Sequence, residues 1–305
     1  MQEKKLTHNQ WNIWTVAALA APAAHLAAAL PWYRTLEVWL LAAGIRTFFG
    51  KTRAEGGLTD GLLAVLCLWA AGLSMGWMET CWQGEVEVRW ILILLLLLSA
   101  WMAAKGRTET AFAGIFLWWP LAILFGSVLG SAVPEITWEN LREYDSAVPG
   151  IREARLLSLL LIPGIAGRQG TQRDALIPQG SAVLLISACA QGVLGIREIR
   201  EESAPFYMLS RSVRLYGLFQ RMEALAWLGL MLGTFLALSY LLRGAMDLWP
   251  GGGKGSAFWM AAAVLGLYWQ CRGEGAILFA AAAVFMGYFV PWMAYKRKMK
   301  KYEKI

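Results

Sequence analysis

Two short stretches of this sequence place helix-breaking residues and a histidine inside otherwise apolar runs. They are AAPAAH at residues 20–25 and IPGIAG at residues 162–167. Proline lacks a backbone donor and its ring clashes with the preceding turn, so each stretch would leave main-chain N–H and C=O groups without helical partners. At membrane depth such groups are tolerated only where they line a cavity, so both stretches are candidate parts of a substrate site. The candidate ligand-binding residues are therefore Ala21, Pro22, His25, Pro163, Gly164 and Gly167.

Simpler interpretations of both stretches stay open. A proline in an apolar helix often only kinks it, and Pro163 could mark the end of a short run. His25 could be a buried polar residue that its neighbours satisfy, although an ionisable residue in such a run is a functional candidate by default. Alanine flanks Pro22 on both sides, where glycine would adopt unusual backbone angles more freely, and this favours a kink over an unwound helix.

A charged pair, Arg221 and Glu223, stands at the start of the longest apolar run, within LYGLFQRMEALAWLGLMLGTF at residues 215–235. The preceding residues 205–222 carry apolar side chains near helical spacing with arginines among them, which predicts an amphipathic helix at a membrane interface. Glu223 would lie in the first turn of the next helix, where the helix dipole favours a carboxylate. The pair therefore serves either as an interface anchor and helix start or as a functional ion pair or gate.

The residues expected for catalysis or metal binding do not form a recognisable pattern. The sequence has two histidines, His8 and His25, and four cysteines without CxxC spacing, which indicates neither a metal site nor a disulfide framework. The glycines at 251–253 lack the GK[ST] ending of a phosphate-binding loop. We therefore expect no enzyme activity, no catalytic residue, no metal and no cofactor. The basic tail YKRKMKKYEKI at residues 295–305 is expected to contact anionic membrane lipid rather than nucleic acid.

The elements that position these residues are predicted to be transmembrane helices. Hydrophobic residues make up 58% of the chain and charged residues 16%, a balance that is rare in soluble domains. Ten continuously apolar runs approach the length of a membrane span, and they favour helices over the alternating strands of a barrel. They cover residues 11–30, 36–49, 58–77, 90–104, 111–133, 156–166, 181–196, 222–246, 256–270 and 276–295. Because the second and sixth runs are short, eight spans is the alternative count.

The charge distribution predicts how the chain is oriented. Lysine and arginine are more frequent in the loops that share a side with the N-terminus, so both termini are predicted to be cytoplasmic. If ten helices divide into two sets of five, the two proline stretches fall in equivalent places. Paired interruptions of this kind are typical of the substrate site of an inverted-repeat transporter.

Three stretches carry a resemblance to a known family. The run PFYMLSRSVRLYGLFQRMEALAWLGLMLGTFLALSYLL at residues 205–242 resembles the spore germination permease family, the B subunits of nutrient germinant receptors, in which an Arg-x-Asp/Glu pair similarly opens the eighth helix. The run KLTHNQWNIWTVAAL at residues 5–19 resembles that family's approach to helix one. The run LREYDSAVPGIREA at residues 141–154 resembles its segment before helix six.

This resemblance implies an all-α polytopic membrane protein of the amino acid-polyamine-organocation transporter superfamily, with about 10 transmembrane helices in a LeuT-like 5+5 inverted repeat. The chain would form one integral membrane domain, with residues 1–150 and 151–295 as the repeats and residues 296–305 as a cytoplasmic tail. The implied ligand is a small-molecule germinant, usually an amino acid, bound between helices one and six. The implied setting is the spore inner membrane, with an A-type and a lipid-anchored C-type receptor subunit as partners. The alternatives are an amino acid or small-solute secondary permease and a structural membrane subunit that binds no ligand.

Overall fold

The computed structural model describes residues 7–49, 57–81, 88–144, 150–166, 176–202, 204–212, 223–249, 255–271, 276–293 and 296. Across these residues the chain is almost entirely helical and forms no strand. In chain order the helices are α1 His8–Ala28, α2 Trp32–Phe49, α3 Gly57–Cys81, α4 Val88–Lys105, α5 Arg107–Ala132, α6 Trp138–Arg142, α7 Ile151–Ala166, α8 Leu176–Glu201, α9 Pro205–Ser212, α10 Glu223–Leu248, α11 Ser256–Cys271 and α12 Ala276–Ala282. A π-helical segment, Ala283–Phe289, extends α12.

Five helical segments in the described part of the chain are long and apolar enough to cross a membrane. They are Asp60–Thr80, Val88–Lys105, Arg107–Glu135, Leu176–Glu201 and Glu223–Leu248. Three more apolar segments are shorter and lie in α1, in α11, and in α12 with its extension. The coarse prediction of a helical membrane protein is therefore confirmed. The ten-span count, the inverted repeat and the orientation of the termini stay predictions.

Large apolar side chains cover the outside of the helical bundle. Phe116 and Trp119 on α5 and Trp259 on α11 are largely exposed. Soluble proteins rarely expose apolar surface of this kind, whereas lipid would cover it in a membrane. Trp14 of α1 is buried instead, and its ring packs edge-on against that of Tyr240 of α10 with 5.0 Å between the centroids.

Small residues allow the central helices to approach closely. Helix α10 lies at the centre and contacts α1, α3, α4 and α5. A Cβ atom at Gly233 of α10 would collide with the methyl group of Ala21 on α1 and lie 3.1 Å from the Ala21 backbone nitrogen. Helices α3 and α11 meet in the same way at Gly72, where a Cβ atom would lie 3.1 Å from the Cβ of Leu267. Close backbone approach at small residues is a main source of helix association in membranes.

The predicted break at Pro22 does not occur, because α1 runs without interruption from His8 to Ala28. A proline removes one hydrogen bond, to the carbonyl four residues earlier, and the flanking alanines are the strongest helix formers. The contact of Ala21 with Gly233 also holds this turn in place. Helix α7 likewise continues through Pro163 to Ala166.

The helical geometry is broken instead near the end of α8, where Gly195 has φ 81° and ψ 163°. This region is covered by α6 and the residues that follow it. The side-chain amide of Asn140 donates to the Gly192 carbonyl at 3.1 Å, and a Glu143 carboxylate oxygen accepts from the Ile196 N–H at 3.2 Å. These side chains satisfy backbone groups that a break in a helix leaves without partners.

Candidate functional site

A polar cavity lies at the end of the bundle where α1 and α8 end and α7 begins. Its lining residues are His25, Leu26, Ala29, Thr80, Arg152, Arg155 and Glu202. The cavity volume is about 140 Å³, which at about 30 Å³ per water molecule gives room for about five water molecules. A small polar molecule therefore fits.

Arg152, in the first turn of α7, connects three helices at this cavity. Its guanidinium group donates to the Ala29 carbonyl at 3.2 Å, to the Ile199 carbonyl at 2.7 Å and to the Arg200 carbonyl at 2.7 Å. These acceptors lie at the C-terminal ends of α1 and α8, where the last carbonyls have no helical partner and the helix dipole is negative. A cation is therefore favoured at this position, and it holds the start of α7 against the two helix ends.

Arg155 and His25 add further basic groups to the same cavity. Arg155 follows Arg152 by three residues, so both side chains project from one face of α7. His25 is 3% exposed and lies one helical turn before Ala29, which also lines the cavity. Glu202 is the carboxylate among the lining residues. Two guanidinium groups against one carboxylate favour a ligand that carries an acidic group, because charge-assisted hydrogen bonds from arginine to carboxylate are strong.

The structure divides the predicted ligand-binding residues between the two ends of α7. His25 lines the cavity, and Pro22 lies one turn before it on the same face of α1. Pro163 and Gly164 follow Arg152 by eleven and twelve residues, which places them about 16 Å farther along the helix. Pro163 does not line this cavity, and Ala21 packs against α10 instead. Gly167 lies outside the described residues.

The end of α7 near Pro163 is held by a second polar cluster. Arg46 of α2 is 4% exposed and donates to the Leu160 carbonyl at 3.3 Å and to Oε1 of Gln179 on α8 at 3.1 Å. The Tyr288 hydroxyl donates to the Leu161 carbonyl at 2.7 Å. Side chains from two other elements, Arg46 of α2 and Tyr288 of the π-helical segment, therefore occupy the backbone acceptors that precede Pro163. A ligand at this end would have to compete with these contacts.

The structure describes one of the two residues of the charged pair predicted at the start of α10. Glu223 is the first residue of α10 and lies in its first turn, as the dipole argument predicted. Helix α9 covers the first eight residues of the predicted amphipathic segment, and in it Phe206 and Leu209 are fully buried while Arg211 is exposed. The rest of that segment, residues 213–222, lies outside the described residues. Arg221 lies outside the described residues, so its ion pair with Glu223 stays a prediction.

The sequence interpretation missed Arg152, Arg155, Arg46 and Gln179. A signal was present for the first two, because their spacing of three at the start of an apolar run places both on one helix face. Arg46 lies inside an apolar run, which by itself marks a functional or structural polar site. Gln179 carried no comparable signal, because an uncharged amide near the start of a run does not stand out by composition.

Among the residues that the structure describes, no group of three His, Cys, Asp or Glu side chains could hold a metal ion. The sequence matches no protein-family model, and no curated protein matches it.

Proposed function

We propose that this protein is a membrane-embedded receptor subunit that binds a small amino acid in the polar cavity between α1 and α7. The observation that carries the proposal is the placement of Arg152, Arg155 and His25 around a cavity whose described lining includes one carboxylate, Glu202. The family that the sequence resembles consists of the B subunits of spore germinant receptors, and we propose the same role for this protein. The ligand is then a germinant that acts in the spore inner membrane.

The chemistry of the lining residues suggests how an amino acid would bind. We assign the ligand carboxylate to Arg155, which lines the cavity on the same face of α7 as Arg152. Glu202 would accept a hydrogen bond from the ligand ammonium group. The limited volume restricts the side chain of the ligand to a small one.

Ligand binding at this position could produce a signal because three helices meet there. A ligand that contacts α1, α7 and the end of α8 favours the arrangement of these helices that fits it best, and it shifts the population toward that arrangement. We propose that the A-type and lipid-anchored C-type subunits respond to this shift. Cytoplasmic termini and the basic tail on anionic lipid complete the proposed topology.

The test is a thermal-shift screen of the detergent-solubilised protein against amino acids, nucleosides and sugars. A ligand present at one hundred times its dissociation constant stabilises the folded protein by about 2.7 kcal/mol. We expect a shift with a small amino acid that Arg155→Met abolishes. The matched control is Arg142→Met, which removes an exposed arginine on α6 and should keep the shift.

The double substitution Pro163→Ala and Gly164→Ala tests the alternative siting at the other end of α7. If the double variant loses the ligand-induced thermal shift and Arg155→Met retains it, the ligand binds near Pro163 and the proposed binding in the polar cavity is refuted. The absence of a shift with every candidate for the folded wild-type protein would refute ligand binding altogether.

A second candidate function is a structural membrane subunit that binds no ligand. The continuity of α1 across Pro22 and the direct packing of Ala21 on Gly233 favour it, because no backbone groups are opened for a substrate there. This candidate predicts that Arg155→Met leaves receptor function in spores intact, while substitutions that disturb the surface toward partner subunits abolish it.

A further inference from the structure

A second cavity, here called the lateral crevice, lies between α5 and α8, with α1 and α7 behind it. Six of its lining residues show its character: Ala20, Trp118, Phe125, Leu160, Leu185 and Gln179. All but Gln179 are apolar. Leu185 is 52% exposed on the outer surface of α8, so the crevice opens sideways, toward the lipid that would surround the bundle.

Gln179 supplies an unusual polar group at this apolar site. Gln179 is 5% exposed, and its Oε1 accepts a hydrogen bond from Nη1 of Arg46 at 3.1 Å. A guanidinium group can only donate, so this contact fixes which amide atom is the oxygen. The other amide atom, Nε2, is buried and has no hydrogen-bond partner within the described part of the chain. A buried donor without a partner is destabilising, and an acceptor on a ligand would correct this.

The depth of Gln179 indicates which acceptor is available in a membrane. Helix α8 keeps helical geometry from Leu176 to the residue before Gly195, a length of about 28 Å, which is close to the thickness of about 30 Å of the hydrocarbon core of a bilayer. Gln179 lies three residues, or about 4.5 Å, from the first residue, Leu176. Side chains on a helix point toward its N-terminus, so the amide of Gln179 lies close to the end of the apolar span, where the hydrocarbon chains of phospholipids meet their ester groups.

We propose that the lateral crevice binds one phospholipid, with an acyl chain along α1, α5 and α8 and an ester carbonyl that accepts a hydrogen bond from Nε2 of Gln179. An acyl chain gains little by leaving bulk lipid for an apolar crevice, because both surroundings are equally apolar. The preference for a particular lipid then comes from the hydrogen bond. One neutral hydrogen bond corresponds to about a twofold to tenfold difference in retention.

The experiment compares diester phosphatidylcholine with its diether analogue, which has the same chains but no carbonyl group. The full-length protein is delipidated in detergent, incubated with equal amounts of the two lipids and analysed by native mass spectrometry. We expect the diester lipid to be retained about twofold to tenfold more than the diether lipid. Gln179→Leu should remove this discrimination, and Ala182→Trp, which fills the crevice, should reduce the retention of both lipids.

The control Ala262→Trp introduces the same bulk at an exposed position of α11 and should leave retention and discrimination unchanged. Equal retention of diester and diether lipid by the wild-type protein would overturn the proposal, and this comparison needs no variant to fold. The proposal is also wrong if Ala182→Trp changes the oligomeric state and leaves lipid retention unaltered, since the crevice would then be an interface between two copies of this chain.

Discussion

Arg152→Met tests whether the arginine at the start of α7 holds the cavity together. The substitution keeps a long apolar side chain but removes the guanidinium group that donates to Ala29, Ile199 and Arg200. These acceptors belong to the C-terminal ends of two other helices, so all three carbonyls lose a partner at once. A purely peripheral arginine would have no such effect.

The expected loss of stability follows from these three contacts. A hydrogen bond from a charged donor contributes about 1.5–3 kcal/mol. The bonds to Ala29 and Ile199 are partly buried, whereas the bond to Arg200 is exposed and contributes little. The two buried bonds give an upper bound of about 3–6 kcal/mol. Water that enters the vacated space replaces part of this stabilisation, so we expect the free energy of unfolding to fall by about 2–4 kcal/mol.

Thermal unfolding in detergent, followed by tryptophan fluorescence at one fixed heating rate, measures this effect. For a chain of this size the expected loss lowers Tm by about 3–6 °C. The matched control is Arg197→Met, since Arg197 pairs with Glu201 on the exposed surface of the same region and should change Tm by less than about 2 °C. Equal Tm values for Arg152→Met and Arg197→Met would refute the reasoning.

Two further substitutions test helix packing and a charged cluster. Gly233→Ala should lower the free energy of unfolding by about 1–3 kcal/mol, because the new methyl group collides with α1. The control Gly266→Ala places its methyl group in open space and should be neutral or slightly stabilising. Similar Tm values for the two variants would contradict the close approach of α10 and α1. Asp247→Asn removes the carboxylate that accepts from Arg243 in a partly buried pair and should lower the stability by about 1–3 kcal/mol. Glu37→Gln, which breaks the exposed ion pair with Arg34, should have almost no effect on stability in the same assay. An equal loss of stability in Asp247→Asn and Glu37→Gln would show that burial does not strengthen the Arg243–Asp247 pair.

The sequence predicted the helical elements well because apolar runs specify them locally. The longer runs have enough continuous apolar sequence to favour a helix in lipid, where every backbone group must be satisfied within the segment. Interactions within a few residues determine this feature.

Other features depend on residues that are distant in sequence, and these were not predictable from local patterns. Arg152 lies 123 residues from Ala29 and 47 residues from Ile199, so its three helix-end contacts have no local signature. The continuity of α1 at Pro22 depends on Gly233 of α10, which packs against the preceding residue, as well as on the flanking alanines. A proline and its immediate neighbours therefore do not by themselves decide whether a membrane helix kinks, unwinds or continues.

Helix α7 is the element through which both ends of the bundle are coupled. Arg152 ties its start to α1 and α8, and Arg46 ties its later part, through the Leu160 carbonyl, to α2 and to Gln179 of α8. A helix moves as a rigid element over this length, so a ligand that displaces its start by contacting Arg155 also changes the geometry at Leu160. Because Gln179 lines the lateral crevice, the same displacement would alter the lipid contact. Occupancy of the polar cavity and binding in the crevice are therefore expected to affect each other equally, as thermodynamic linkage requires.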